Sequence, residues 1–451
     1  VKQLLANAFY CGSPGQSWAG LWTHSRSKGT EYNTPAFWTE LARICEGGLL
    51  DGIFIADALG ISDVYEGRPD AMLRSGSFVP ALDPMLLVPL MSSVTKHLSF
   101  GITGNTTYET PYLLARRFST LDHLTSGRVA WNVVSGVLEA TARAVGLKTM
   151  APHDERYAMA DEYMSLVYRL WEESWDDGAA VRDKAAKTFC DPRHVRAVSH
   201  DGKYLSCHAV HLSEPSVQRT PVIFSAGASA AGTDFVGKHA ECAFIAYGSR
   251  DFARKQVGTI RAKCVANGRG PNDVRVFVPA TVIVAPTDAE ARDIQREYEA
   301  CTDGAGNLAT RSQLIGIDLS RYAPDDPVPG IKTNASQSAG AALTTGAARV
   351  LRIRDLMEFG EGRDLFLVGS PTTVADKLIE WAAYTDVDGL NLTRTVEPDG
   401  LRSFCDLLVP ELQNRGVYKT AYVEGPMREK LFPGTNGRVR STHPAARALA
   451  A

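Results

Sequence analysis

Eight short apolar runs limit what this chain can fold into more than any other feature. They lie at 4–10, 52–56, 98–103, 129–134, 222–225, 243–247, 276–284 and 389–393. Most are nearly continuous in apolar residues instead of alternating. A strand that is apolar on both faces must be covered on both, which is the condition of a parallel sheet flanked by helices. Helical stretches fall between the runs, the first at 35–46. Thr110-Pro111 supplies an N-cap followed by proline at the first helical position, and Ser126-Gly127 supplies the stop. Tyr163, Val167, Leu170 and Trp171 recur at helical spacing. Thr287-x-x-Glu290 spells a capping box, and Ser370-Pro371 opens a helix carrying Ala375, Leu378, Ile379 and Trp381. Strand and helix alternate over the whole length, so the expected class is α/β.

The remaining choice is between an open and a closed sheet. An open dinucleotide-binding sheet wants G-x-G-x-x-G after its first strand. Here the first strand runs into Cys11-Gly12-Ser13-Pro14-Gly15, a turn-rich loop without that pattern. Eight strand–helix units favour a TIM (β/α)8 barrel. At 451 residues the chain exceeds the ~250 typical of that barrel. It is therefore read as one barrel domain over 1–451 with insertions near 11–34, 175–215 and 323–348. The first is rich in Gly and Ser. The second is charged and alternates near 202–210, as a small hairpin would. The third starts with prolines and continues in Ala, Ser, Gly and Thr, so it buries little: a lid or a surface excursion.

Composition excludes several partners. A formal net charge of −3 gives no field that recruits nucleic acid or an anionic membrane. No apolar run approaches the ~18 residues of a membrane span. The opening Val1-Lys2-Gln3-Leu4 lacks the layout of a signal peptide, and a cytoplasmic location is expected. The eight cysteines are scattered with no C-x-x-C pair, which favours reduced, packed thiols. Cys207-His208-x-x-His211 has zinc-type ligands but no evident fourth, so no metal is expected.

In such a barrel the chemistry sits at the C-terminal ends of the strands. Asp57 follows the second strand, where it is a hydrogen-bond acceptor or a helix N-cap. Thr103 ends the third, with Asn105 just beyond. Its hydroxyl serves either a ligand or a buried carbonyl. Asn132 lies within the fourth strand, and an inward amide offers both donor and acceptor. Trp131 beside it reads as core. His153 and Tyr157 are four apart and share one helical face. The run Ser225-Ala-Gly227-Ala228-Ser229 leads from a strand into a helix, and small residues there let backbone N–H groups reach a phosphate. Trp22 and His24 belong to the first loop, where an imidazole can act as a general acid.

Longer segments carry a resemblance. Residues 18–32 read Trp-Ala-Gly-Leu-Trp-Thr-His and then Tyr32; 51–57 read Asp-Gly-Ile-Phe-Ile-Ala-Asp. Residues 115–135 contain Thr-Leu-Asp-His-Leu-Thr-Ser-Gly-Arg-Val-Ala-Trp-Asn-Val-Val, and 153–157 read His-Asp-Glu-Arg-Tyr. With 214–229 and Val-Pro-Glu-Leu-Gln-Asn-Arg-Gly from residue 409, the order and spacing resemble the nitrilotriacetate monooxygenase branch of the bacterial-luciferase-like superfamily. That branch also holds EDTA, dibenzothiophene sulfone and dimethylsulfide monooxygenases. The likeness covers nearly the whole chain.

The resemblance implies a luciferase-like barrel that binds reduced FMN (FMNH2) supplied by a separate NAD(P)H:flavin reductase. Dioxygen (O2) is the co-substrate, and one oxygen atom goes to a small organic substrate. It implies flavin contacts at Asp57, Thr103, His153, Tyr157, Ala228 and Ser229, and a homodimer or homotetramer; by their own positions Asn132 is read as a further flavin contact, and His24 and Asn132 as the catalytic candidates. Two other readings stay open at this point: a deazaflavin-dependent oxidoreductase of the same fold, and a flavin-binding protein without turnover. Residues 10–18 depart from the Cys-x-Ser-His-type segment of many relatives, so no relative's substrate transfers directly. The absence of an obvious Arg/Lys cluster points away from polycarboxylates and toward a smaller, less charged compound, such as a sulfur compound or an amine.

Overall fold

All eight apolar runs form strands in the computed structural model, which describes residues 2–227, 229–331, 333–360 and 365–448. They are β1 Leu5–Cys11, β2 Gly52–Ala56, β3 Ser99–Asn105, β4 Val129–Val134, β5 Val222–Ala226, β6 Cys242–Phe244, β7 Arg275–Val284 and β8 Gly389–Thr393. Neighbours in this order pair in parallel, and β8 returns to β1 with Asn7 opposite Asn391. The sheet is thus closed. The sixth run pairs for a shorter stretch than its composition suggests.

A helix follows each strand. They are α1 Pro35–Gly47, α2 Pro84–Ser92, α3 Pro111–Thr125, α4 His153–Glu172, α5 Ala230–His239, α6 Arg250–Ala266 and α7 Pro371–Thr385. The eighth, α8, has three consecutive pieces, Asp399–Ser403, a π turn at Phe404–Leu408, and Val409–Asn414. The start and stop signals sit where the sequence puts them. Ser126 ends α3 in the left-handed region with φ 54°, and both bonds of the Thr287/Glu290 box are made. Thr110 occupies the N-cap of α3 without a side-chain capping bond.

Outward-facing residues of the strands, such as Ile53, Ile55, Phe100, Ile102, Val129 and Trp131, pack with the inner faces of the helices in the largest core cluster. Inward-facing residues form a second cluster around Phe54, Phe224 and Phe277, with Phe9 and Phe244 against it. Phe54 and Phe244 lie 4.4 Å apart, and Phe9 and Phe54 5.2 Å. Gly101 makes room for them, because a Cβ there would stand 2.9 Å from the Phe224 ring. The barrel interior is therefore a packed aromatic plug and not a pore.

Three long excursions leave the strand–helix repeat. The 11–34 loop carries two short 3-10 turns. The 175–215 stretch holds the hairpin, with strands Val198–Asp201 and Ser206–Ala209. The excursion between β7 and α7 includes helices Asp288–Ala300, Gly304–Ile315 and Gln337–Leu343. It ends in the strand Phe366–Gly369, which pairs with the outer half of β7. That four-residue strand was not expected from the sequence. At the N-terminal end of the barrel, residues after α8 fold back beneath it, and Met427, Leu431 and Phe432 join the interior cluster.

Candidate active site

A cleft opens at the C-terminal ends of β2 to β5. Its walls come from Asp57, Asn105, residues 133–137, the first two turns of α4, the β5–α5 turn, and Ala335 to Gln337 of the large excursion. It encloses about 920 Å³, counting the part open to solvent. Among the residues named from the sequence, Asp57, His153, Tyr157 and Ser229 all line it. They come from three different strand-to-helix connections, so the fold gathers what the chain keeps far apart.

One wall suits a phosphate. Ser229 is the N-cap of α5, and its Oγ accepts from Gly232 N at 3.0 Å. A Cβ on Gly227 would stand 2.8 Å from Gly232 Cα, so this turn closes on the helix only with glycine. A helix N-terminus presents unsatisfied N–H groups and positive potential to an anion. His153 Nε2 stands 3.4 Å from Ser229 Oγ, and the His153 ring meets Tyr157 edge-on at 5.1 Å. Burial raises the Tyr157 pKa, which keeps its hydroxyl a donor. Ala228 lies outside the described residues.

Arg156 was not expected. It is 1% exposed and lines the same cleft. Nη1 donates to Ala151 O at 2.7 Å and Nη2 to Asn334 O at 2.8 Å. Its Nε finds no partner, and it forms no ion pair among the described residues. Burial lowers its pKa from the ordinary arginine value, yet an arginine stays charged in any folded protein. A buried cation without a counter-ion is costly, and a bound anion relieves that cost.

Thr103 and Asn132 are not among the residues lining the cleft; they lie on β3 and β4 beside its lining residues Asn105 and Val133. Asn132 Nδ2 donates to Thr103 Oγ1 at 3.0 Å, and Thr103 Oγ1 donates to Ile55 O at 3.2 Å. Asn132 Oδ1 is buried with no partner. A buried acceptor left unmade costs about 1–3 kcal/mol, so a ligand N–H is the expected completion. Asp57 Oδ1 accepts from the N–H groups of Ala58 at 2.8 Å and Leu59 at 3.3 Å. Burial raises its pKa against those two bonds. Asn105 turns its side chain to the Thr107 and Tyr108 N–H groups and so shapes the rim. The glycine turn, Ser229 and Arg156 have the chemistry to hold the phosphate of a flavin mononucleotide, and the Asn132 amide has that to pair with a flavin ring edge.

His24 stands apart. It is not among the residues lining the cleft. Its Nδ1 accepts from Arg26 N at 3.2 Å, its Nε2 is 3.5 Å from Glu297, and its ring packs edge-on against Tyr298. Trp22 likewise donates to Ser75 O at 2.8 Å. Among the described residues no three His, Cys, Asp or Glu side chains converge as for a metal. His208 bonds Ser199, and His211 bonds Ser119. All eight cysteines are free. No helix of the described residues is long and apolar enough to cross a membrane.

Comparison with known proteins agrees with this geometry. Residues 18–388 match the luciferase-like monooxygenase family. The dimethyl-sulfide monooxygenase of Hyphomicrobium sulfonivorans is 42% identical, over 99% of this chain and 93% of its own. The long-chain alkane monooxygenase of Geobacillus thermodenitrificans is 40% identical, over 99% and 98%. The crystal structure of DmoA from Hyphomicrobium sulfonivorans matches with a TM-score of 0.93 at 41% identity, covering 100% of this chain and 96% of that one. Together with the closed eight-stranded barrel, these matches show that the chain belongs to the luciferase-like monooxygenase family and is a flavin-dependent oxidoreductase.

Proposed function

We propose that this chain is the oxygenase component of a two-component system, using reduced FMN from a separate NAD(P)H:flavin reductase and dioxygen to oxygenate a small, weakly charged organic molecule. The observation that carries this reading is the joint presence, in one cleft, of Ser229, His153, Tyr157 and Arg156, with the unpartnered Asn132 amide on β4 immediately before Val133, which lines that cleft. When bound, reduced FMN supplies the electrons that activate dioxygen.

The chain's own residues do the rest. Ser229, Arg156, Tyr157 and His153 bind the phosphate and fix the cofactor's depth. Asn132 and Thr103 hold the ring edge, with Asp57 as an acceptor at the rim. The aromatic plug of Phe54, Phe224 and Phe277 fills the barrel interior beneath them and would help exclude water from a bound flavin. His24 is best read as a group that fixes the 11–34 loop against Glu297 and Tyr298. Arg156 is the single cation among the residues lining the cleft, and the phosphate claims it. That supports an uncharged substrate over a polycarboxylate, as do relatives named for dimethyl sulfide and long-chain alkanes. A homodimer or homotetramer in the cytoplasm completes the proposal.

The test is coupled turnover with a flavin reductase, NADH and FMN, screening small thioethers, amines and alkanes. Substrate-dependent oxygen uptake with an oxygenated product supports the reading. NADH consumption that ends only in hydrogen peroxide for every compound of these classes contradicts the substrate assignment.

A further inference from the structure

The phosphate end of the cleft does not stop at Ser229. Ser229, Ser336 and Gln337 are shared with a second cleft of about 840 Å³. That cleft shares Ala341 and Thr345 with a third, of about 1000 Å³, part of it open to solvent. Gly227 belongs to both the first cleft and the third. The three therefore run as one groove along residues 335–345, from the flavin phosphate wall to the space between α5 and α6.

The third cleft has a polar wall with one buried donor that nothing in the fold completes. Gln256 of α6 is 9% exposed and lines it. Its Nε2 is buried with no partner. A buried amide donor without a partner is expensive unless a ligand completes it. Phe252, one helical turn earlier, lines the same cleft, and its ring packs on Gly346. Ser249 N donates to Gly346 O at 3.0 Å, which ties this wall to the excursion. Lys255 stands on the lining, exposed, with no ion pair among the described residues. Asp251, held by the Tyr384 hydroxyl, adds an acceptor.

An aromatic face, an amide with both donor and acceptor, a free cation and a carboxylate acceptor are the groups that recognise a purine nucleotide. We propose that this groove holds the adenylyl part of a flavin dinucleotide, so that the chain accepts reduced FAD as well as reduced FMN. The second phosphate then follows the groove toward Lys255. The purine lies against Phe252 with its edge on Gln256, and Asp251 accepts from an amine or a ribose hydroxyl. The proposal rests on the flavin reading above, because the flavin half anchors the tail.

The experiment is anaerobic titration of the full chain with dithionite-reduced FAD and, separately, reduced FMN. The expected result is reduced FAD binding within about threefold of reduced FMN, or more tightly. Gln256→Leu weakens FAD by about tenfold, as for one lost hydrogen bond, and leaves FMN unchanged. Lys255→Glu, at an exposed position that does not threaten folding, also weakens FAD selectively. FMN binding with FAD more than about tenfold weaker overturns this inference alone. Variants that weaken both flavins equally also overturn it. Failure of both flavins to bind the unmodified chain overturns it together with the flavin reading.

Discussion

The two ends of the barrel use the same eight strands in opposite ways. At the N-terminal end every guanidinium nitrogen of the buried Arg428 is engaged. Its guanidinium grips Glu241 through Nε–Oε1 at 2.7 Å and Nη2–Oε2 at 2.9 Å, and donates to Gly437 O and Thr220 O. Gln218 beside it donates to Asp122 and to Val129 O. At the C-terminal mouth, Arg156 and Asn132 are as deeply buried, yet each keeps an atom without a partner. Buried polar groups are normally satisfied. The Arg428–Glu241 pair spends its polar groups on the fold, whereas Arg156 and Asn132 each keep one free for a ligand.

The sharpest way to break this contrast is Arg428→Met. It leaves Glu241 buried and unpaired, which costs roughly 3–5 kcal/mol. Urea unfolding should show a large fall in midpoint, with flavin affinity unchanged in the folded protein. A loss of flavin affinity without a loss of stability would reverse the assignment of the two ends.

Acid probes the same end more gently. Burial alone would raise the Glu241 pKa, but Arg428 overrides it and holds the carboxyl down at about 2. A carboxylate depressed in the folded state adds stability above its unfolded pKa and loses it as pH falls through the folded value. The gain, roughly 3 kcal/mol from that shift, is complete above about pH 5 and fades toward pH 2. Thermal midpoints across that window should fall for the unmodified chain. Glu241→Gln should show a shallower slope.

At the mouth the order of effects reverses. Ser229→Asp keeps an N-cap acceptor for Gly232, so stability should hold. It places a charge against the phosphate, and reduced FMN affinity should drop by about a hundredfold or more. Asn132→Leu removes the unpartnered acceptor. Stability should stay level or rise slightly, while flavin affinity or turnover falls by about tenfold, one hydrogen bond's worth. A clear loss of stability in Asn132→Leu would make that residue part of the scaffold.

What could be read in the sequence follows from how far each property reaches along the chain. The barrel strands are apolar on both faces because both faces are covered, so their pattern is local and all eight were visible. Phe366–Gly369 was missed because it is short, pairs with only the outer half of β7, and follows a stretch with no periodic signal. Asn132 stood out as an amide inside an apolar run. Arg156 did not, since an arginine in His-Asp-Glu-Arg-Tyr reads as a helix surface. Its burial is made by Asn334, 178 residues away. His24 shows the converse. Its loop reads as mouth-facing, but the partners that turn it toward Glu297 and Tyr298 come from the helix after β7.

The central claim is that the open end is a flavin site, and anaerobic titration with reduced FMN followed by an oxygen pulse tests it most directly. The account predicts saturable binding in the micromolar range or tighter, lost in Ser229→Asp, and an oxygen-dependent transient in flavin absorbance whose decay a substrate accelerates. Binding that Ser229→Asp leaves intact, or no binding by the unmodified chain, would contradict it.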